Sequence, residues 1–170
     1  MTVSYDEFQQ FFVNIATTRK LLEEANNKDA LIEGTILYAS IIDALLRQLI
    51  LMERSIKAGG SVDVPAGFVW QHEGDKMYSE RQIIKIANDE SAIDRDIFNE
   101  LNFLYDERNK IVHRYILSWY KYSDIVTILD RYEKVYRIIF TRIEKYEQPD
   151  LHKLLEPEKI GIWDRIKKKL

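Results

Sequence analysis

Apolar residues recur along most of the chain at intervals of three and four positions, which is the spacing of one face of an α-helix. The pattern predicts helices over residues 5–25, 28–57, 80–88, 93–119 and 124–147. Ser4 with Glu7, and Ser79 with Gln82, match the signature of a capping box at a helix N-terminus. Ser123 is the expected cap of the last helix. The sequence is therefore predicted to be all-α.

One long interruption breaks this helical pattern. Residues 59–78 hold four of the six glycines and one proline, and they are predicted to form the one substantial loop. Gly59 and Gly60 suit the C-terminus of the second helix, where glycine is the preferred residue. Phe68 and Trp70 are expected to anchor the loop on the core.

The last predicted helix is followed by Pro149, which cannot continue a helix. Residues 149–170 are expected to form a tail or a short docked helix. Because the other connections are short, residues 1–148 are predicted to form an up-and-down bundle of four to five helices.

The composition narrows the class of protein further. A chain of 170 residues that is 46% hydrophobic is large enough for one compact domain with one core. It has no cysteine, which excludes disulfides and thiolate metal sites and is typical of a reducing compartment. No basic and apolar leader is visible at the start, so a cytoplasmic location is expected. The apolar run 36–52 contains Asp43 and Arg47, a predicted ion pair, and is interpreted as a buried helix rather than a membrane span.

Charge is distributed unevenly along the chain. The net charge is −3, but residues 1–106 carry 10 Lys/Arg and 18 Asp/Glu, a net of −8, whereas residues 107–170 carry 15 and 10, a net of +5. The basic half could attract a polyanion such as RNA, or it could simply be a solvated surface.

The stretch DERNKIVHRY, residues 106–115, is the strongest candidate for chemistry. Arg108 falls on the apolar stripe of its predicted helix, whereas Asn109 and His113 fall four residues apart on a polar stripe. Arg108 and His113 lie about 140° apart around the helix axis, so one helix alone makes a poor active site from them. Two such helices related by a twofold axis would bring both pairs to one cleft.

These residue types suit RNA cleavage without a metal ion. A ribose 2′-hydroxyl that attacks its own phosphate needs a base, and the leaving oxygen needs an acid. Histidine titrates near neutral pH and serves in either role. Arginine stays charged and binds phosphate oxygens in bidentate fashion.

The string RNKIVHRY, residues 108–115, resembles the R-x4–6-H motif of HEPN domains, which are helical bundles. The resemblance implies a homodimeric, metal-independent endoribonuclease that leaves a 2′,3′-cyclic phosphate and a 5′-hydroxyl. It implies that Arg108 and His113 are catalytic, that Asn109 orients the site, and that no cofactor is needed. A role in toxin–antitoxin systems or antiviral defence is expected from it.

The spacing R-x4-H-x-Y is similar to that of HepT-type toxins, in which the tyrosine accepts AMP from a partner nucleotidyltransferase. Tyr115 takes that position, which makes it a candidate for modification and implies an antitoxin nucleotidyltransferase encoded nearby.

Each of these residues also has a structural interpretation that needs no function. Arg108 could pair with a neighbouring carboxylate, such as Asp106 or Glu107 of a partner element. His113 could be an ordinary surface or interface histidine, and Tyr115 could pack on the apolar stripe. The chain shows no His/Asp/Glu cluster with the spacing of metal ligands, so no metal site is expected. The alternative function is a non-catalytic HEPN-like module that binds a nucleotide or a partner protein.

Overall fold

The helices begin and end close to the positions that the apolar pattern predicts. The structure is a computed structural model that describes residues 5–60, 62–65, 67–70, 72–74 and 77–146; Ser4 and the tail 149–170 lie outside them. The elements are α1 (Tyr5–Asn27), α2 (Leu31–Ala58), α3 (Glu80–Asp89), α4 (Arg95–Arg114), a 3₁₀ turn (Tyr115–Leu117) and α5 (Tyr122–Tyr146). No strand occurs in the described ranges, and the predicted all-α bundle is confirmed.

The core is built around α2, which packs against each of the other four helices. Leu46, Leu49 and Ile50 on this helix are completely buried. α2 and α5 approach closely at Gly34, where an added Cβ atom would lie 3.3 Å from Leu129 Cδ2. α2 ends as predicted at Gly59, whose φ of 67° is the left-handed conformation that glycine adopts without strain.

By length and composition alone, α2 is apolar enough to cross a bilayer, but 61% of its most apolar 18-residue window is buried inside the bundle. This degree of burial is typical of the core helix of a globular domain. The predicted ion pair on α2 is present, with Arg47 Nε 2.7 Å from Asp43 Oδ2.

The described part of the loop between α2 and α3 is fastened to the bundle by polar contacts. Arg47 donates hydrogen bonds to the backbone carbonyl of Phe68 and, at 3.0 Å, to that of Tyr78. His72 Nε2 lies 2.6 Å from Glu7 Oε1 on α1. The Phe68 ring is buried, as predicted, and Trp70 is half-buried. The loop is therefore part of the packed structure at both of its aromatic anchors.

Side-chain caps fix the start of the two helices that carry the site. Ser79 and Gln82 form the predicted capping box of α3. Asp94 caps α4, because its carboxylate accepts a hydrogen bond of 2.9 Å from the backbone N–H of Ile97, and it also accepts one from Arg142. These two donors hold the pKa of Asp94 below its ordinary value, although burial acts in the opposite direction.

Replacing Asp94 by alanine is expected to destabilise the protein by about 1 kcal/mol at pH 7, because α4 loses its N-cap. The loss should shrink as the pH falls below about 4, since a depressed carboxyl pKa gives stability that is lost when the group is protonated. Urea denaturation at both pH values measures this difference. Asp94→Asn is the matched control, because asparagine also caps helices; an equal loss in both variants would contradict the capping role.

Two predicted boundaries on the far side of the motif are wrong. α4 ends at Arg114 rather than at Trp119, because the chain turns there and Ser118 hydrogen-bonds the carbonyl of Tyr115 through its hydroxyl, at 2.8 Å, and through its backbone N–H. Ser123 does not cap α5. Instead the Asp124 carboxylate accepts a hydrogen bond of 2.8 Å from the N–H of Lys121, and Ser123 lies inside the first turn. Hydrogen bonds from the Ser118 and Asp124 side chains to the backbone thus set where the two helices end and begin, in place of the apolar periodicity.

Candidate functional site

The motif occupies the C-terminal half of α4, between the bundle and a surface turn. The apolar stripe that was predicted on this helix is buried as far as the helix extends, and consists of Ile97, Leu101, Leu104 and Ile111. Arg108 is partly buried and His113 is exposed. The predicted divergence of these two side chains around the helix is thus matched by their different surroundings.

Arg108 is engaged within the protomer. Its Nη2 atom lies 2.5 Å from Glu80 Oε2, at the start of α3, and its guanidinium lies over the ring of Tyr105, 5.0 Å from the centroid. Its Nε atom is buried without a hydrogen-bond partner in the part of the chain that the structure describes. Arg108 therefore does form an ion pair, as the structural interpretation holds, but its partner is Glu80 on α3.

Arg108 belongs to a set of four charged side chains, called here the α2–α4 charge cluster: Asp43, Arg47, Glu80 and Arg108. Burial raises the pKa of Asp43, although Arg47 and Arg108 act in the opposite direction. Burial also raises the pKa of Glu80, again against the effect of Arg108. Both carboxylates are therefore held in surroundings that disfavour their charge, and Asp43 Oδ1 has no hydrogen-bond partner among the described residues.

Asn109 and His113 take the predicted positions one turn apart on α4. Asn109 is half-buried and His113 is exposed in the last turn. Over the described ranges, neither side chain makes a hydrogen bond within the protomer. His113 is thus available to a ligand, whereas Arg108 is paired with Glu80 on α3.

Tyr115 lies in the 3₁₀ turn that follows α4, with 38% of its surface exposed. α4 ends one residue before it, so Tyr115 does not continue the helical stripe, although most of its surface is covered. Its exposure leaves the side chain accessible to another molecule.

Residues 115–122 hold the three most exposed large apolar side chains of the described chain, and the sequence did not predict them as a site. The exposed fractions are 93% for Ile116, 87% for Leu117, 99% for Trp119 and 61% for Tyr122. The sequence signal for this site is the run YILSWYKY, which holds more apolar residues than one face of a helix can bury. This segment, called here the 115–122 turn, begins two residues after His113.

The 115–122 turn is bonded back to α4. The Tyr120 hydroxyl donates a hydrogen bond to the Glu107 carboxylate, which also accepts one of 2.6 Å from Lys110. Burial, followed by the contact with Glu107, raises the pKa of Tyr120 far above its ordinary value. Burial opposes ionisation of Glu107, but the bonds from Lys110 and Tyr120 outweigh it and lower the pKa of Glu107. The turn is therefore anchored by a charge-assisted hydrogen bond.

A cavity of about 250 Å³ lies between α2 and the loop that follows it, and it shares Asp43 and Arg47 with the charge cluster. Phe68, Trp70 and Tyr78 supply most of its aromatic lining. Its volume falls below the roughly 300–1,000 Å³ that is usual for small-molecule sites. Among residues 5–146, as far as they are described, no group of three or more His, Asp or Glu side chains could hold a metal ion.

The α4 site thus comprises an exposed imidazole, an arginine paired with Glu80, and an exposed aromatic turn next to them. No family model, no curated protein and no solved structure matches the chain.

Proposed function

We propose that the protein is a metal-independent endoribonuclease of HEPN type that acts as a homodimer. The observation that carries the proposal is the placement of His113, an exposed imidazole that makes no hydrogen bond to any described residue of its protomer. It directly precedes the exposed Arg114, in the half of the chain that carries the net positive charge. Such an imidazole can exchange a proton with a substrate, and the cations around it attract RNA.

The proposed reaction needs two proton transfers. The 2′-oxygen of one nucleotide attacks the adjacent phosphorus, the bond from phosphorus to the 5′-oxygen breaks, and a 2′,3′-cyclic phosphate and a 5′-hydroxyl result. One group removes the proton of the 2′-hydroxyl, and another protonates the leaving 5′-oxygen. Each protomer provides one His113, so the homodimer would supply both imidazoles.

Arg108 is assigned to the phosphate, with Asn109 orienting the site. In the protomer the guanidinium is held by Glu80, but the pKa of that carboxyl is raised by burial even with Arg108 beside it. The carboxylate is thus a partner with which a doubly hydrogen-bonding phosphate can compete. Because Arg108 is paired with Glu80 whereas His113 is exposed, we expect a second copy to be needed to bring an arginine and an imidazole to one phosphate.

The first test is incubation of a mixed RNA pool with the purified protein in excess EDTA, followed by analysis of the product ends. Cleavage that persists in EDTA and leaves cyclic-phosphate ends is expected. Light scattering on the same sample should give the mass of a dimer. A well-folded dimer that leaves RNA intact would refute the nuclease, and a monomer that cleaves would refute the paired site.

A second candidate is the non-catalytic helical module, and the Arg108–Glu80 ion pair is the observation that favours it. If Arg108 serves only to join α3 to α4, the conspicuous motif is structural, and the exposed 115–122 turn would bind a partner protein. The cavity beside α2 is small for a nucleotide, but a second cavity of about 450 Å³, lined by Arg19, Tyr136 and Arg137 among others, falls within the roughly 300–1,000 Å³ that is usual for small-molecule sites. Under this alternative the pure protein binds its partner and does not cleave RNA.

The defence role is proposed with the nuclease. Tyr115 is the candidate site of AMP transfer by a separate nucleotidyltransferase, and the 38% exposure of the residue supports access by such an enzyme. Co-expression with any nucleotidyltransferase encoded beside this gene should add one adenylyl group to the wild type and none to Tyr115→Phe, as measured by mass spectrometry of intact protein. Modification of both proteins would exclude Tyr115 as the acceptor.

A further inference from the structure

The 115–122 turn exposes apolar side chains that the bundle does not need. Ile116, Leu117 and Trp119 are each at least 87% exposed, so they contribute almost nothing to the core. Adjacent exposed apolar residues on a folded domain often mark a binding surface, whereas single exposed apolar residues are ordinary. We therefore expect the turn to bind another molecule.

The turn is held in one conformation by bonds at both of its ends. Ser118 bonds the carbonyl of Tyr115, and Tyr120 donates to Glu107 on α4. Asp124, in the first turn of α5, accepts from the N–H of Lys121. Because these contacts use Ser118 and Tyr120, the rings of Trp119 and Tyr122 are left exposed on a restrained backbone. A preorganised aromatic surface loses less conformational entropy on binding a ligand than a flexible one does.

Two basic side chains at the turn, Arg114 and Lys121, are exposed and form no ion pair within the part of the chain that the structure describes. The two acids that contact the turn, Glu107 and Asp124, already have internal partners, since Glu107 accepts hydrogen bonds from Lys110 and Tyr120, and Asp124 caps α5. A twofold contact between two copies of this turn would bring like charges together. The charge therefore favours an anionic ligand over a second copy of the chain.

We propose that the 115–122 turn is the surface that receives the unpaired nucleotides of the RNA substrate, with bases stacking on Trp119 and Tyr122 and phosphates bound by Arg114 and Lys121. Aromatic faces interspersed with basic side chains are the usual means of binding single-stranded nucleic acid. The aliphatic side chains of Ile116 and Leu117 supply apolar contact to the base faces beside the rings. This inference rests on the proposed nuclease function and adds to it the place where substrate binds, two residues from His113.

The test uses full-length protein with the His113→Ala substitution, so that RNA is bound without being cleaved. Fluorescence anisotropy of a labelled oligoadenylate gives the affinity at fixed salt concentration. Adding Trp119→Ala is expected to weaken binding about tenfold, from the loss of one stacked base. Trp119→Phe should restore most of the affinity, because phenylalanine also stacks. A fully paired duplex of the same length should bind more weakly than the single strand.

Met77→Ala is the matched control, since Met77 is an exposed apolar residue, 69% accessible, outside the turn. It should leave the affinity unchanged. Equal affinities for the Trp119→Ala and Trp119→Phe variants, or preference for the duplex, would overturn the stacking surface. A change from dimer to monomer in Trp119→Ala, measured by light scattering, would assign the turn to a second copy and also overturn it.

The same variants in the background with His113 intact separate this inference from the nuclease itself. If the wild type binds the single strand through Trp119 but never cleaves it, the binding surface stands and the nuclease fails. If the wild type cleaves, and Trp119→Ala binds and cleaves equally well, the nuclease stands and the binding surface fails.

Discussion

Substitution of His113 by alanine is expected to slow RNA cleavage by roughly 10²–10⁴-fold, the usual contribution of a positioned general acid or base. Stability should hardly change, because the side chain is exposed and makes no hydrogen bond to the described residues. A shift of less than about 0.5 kcal/mol in the free energy of unfolding is typical of such surface substitutions. Single-turnover cleavage in EDTA and urea denaturation measure the two quantities on the same preparation.

His72→Ala is the matched control for this experiment. His72 also carries an imidazole, but it lies in the loop after α2 and pairs with Glu7 on α1. Its removal should leave the cleavage rate unchanged. Equal rates for wild type and His113→Ala, or equal losses for both histidine variants, would remove His113 from the reaction and shift the interpretation to the binding module.

Substitution of Glu80 by alanine is expected to destabilise the protein by about 2–3 kcal/mol at pH 7. Removing one partner of a fully buried ion pair costs roughly 3–5 kcal/mol, because the other charge is left buried and unpaired. The Arg108–Glu80 pair is only partly buried, which lowers the expected cost. Chemical denaturation of Glu80→Ala and of the wild type measures the difference.

Glu80→Gln is the informative companion, with an expected loss below about 1 kcal/mol, since glutamine keeps a hydrogen-bond acceptor for Arg108 and removes the charge that burial disfavours. The sign of the pH dependence follows from the raised pKa of Glu80. A carboxyl with a raised pKa is most compatible with the folded state when protonated. The stability of the wild type relative to Glu80→Gln should therefore increase as the pH falls from 7 towards about 4. A relative decrease would show that Arg108 outweighs burial at this carboxyl.

This ion pair also decides how variants of Arg108 are to be interpreted. Arg108→Ala leaves two partly buried carboxylates, Asp43 and Glu80, without the guanidinium that lowers the pKa of each. Loss of cleavage in that variant can therefore come from altered packing of α3 and α4. Arg108→Lys keeps the charge and removes the bidentate donor, so it tests phosphate binding with less disturbance of the bundle.

The sequence predicted the helices well because their main determinants are local. Gly59 at the end of α2 and the Ser79–Gln82 box at the start of α3 act through neighbouring backbone groups, and both are confirmed. The ion pair of Asp43 and Arg47 spans a single helical turn and is also confirmed.

The features that the sequence did not predict depend on contacts between distant segments. Glu80 precedes Arg108 by 28 residues, and nothing in either stretch identifies the other as its partner. The apolar residues that continue beyond Tyr115 predict a helix that extends to Trp119. The hydrogen bonds of Ser118 and Tyr120 redirect the chain there, and the aromatic residues that periodicity would bury become exposed instead.

The nearly complete exposure of Ile116, Leu117 and Trp119 means that selection for folding alone hardly constrains these positions. A library of all single substitutions, sorted for folded protein, should accept almost any residue at them, and polar residues should improve solubility. Sorted instead for biological activity, the same library should retain apolar residues there. Positions that differ in this way between the two selections separate what the bundle requires from what its ligand requires, without any knowledge of the ligand.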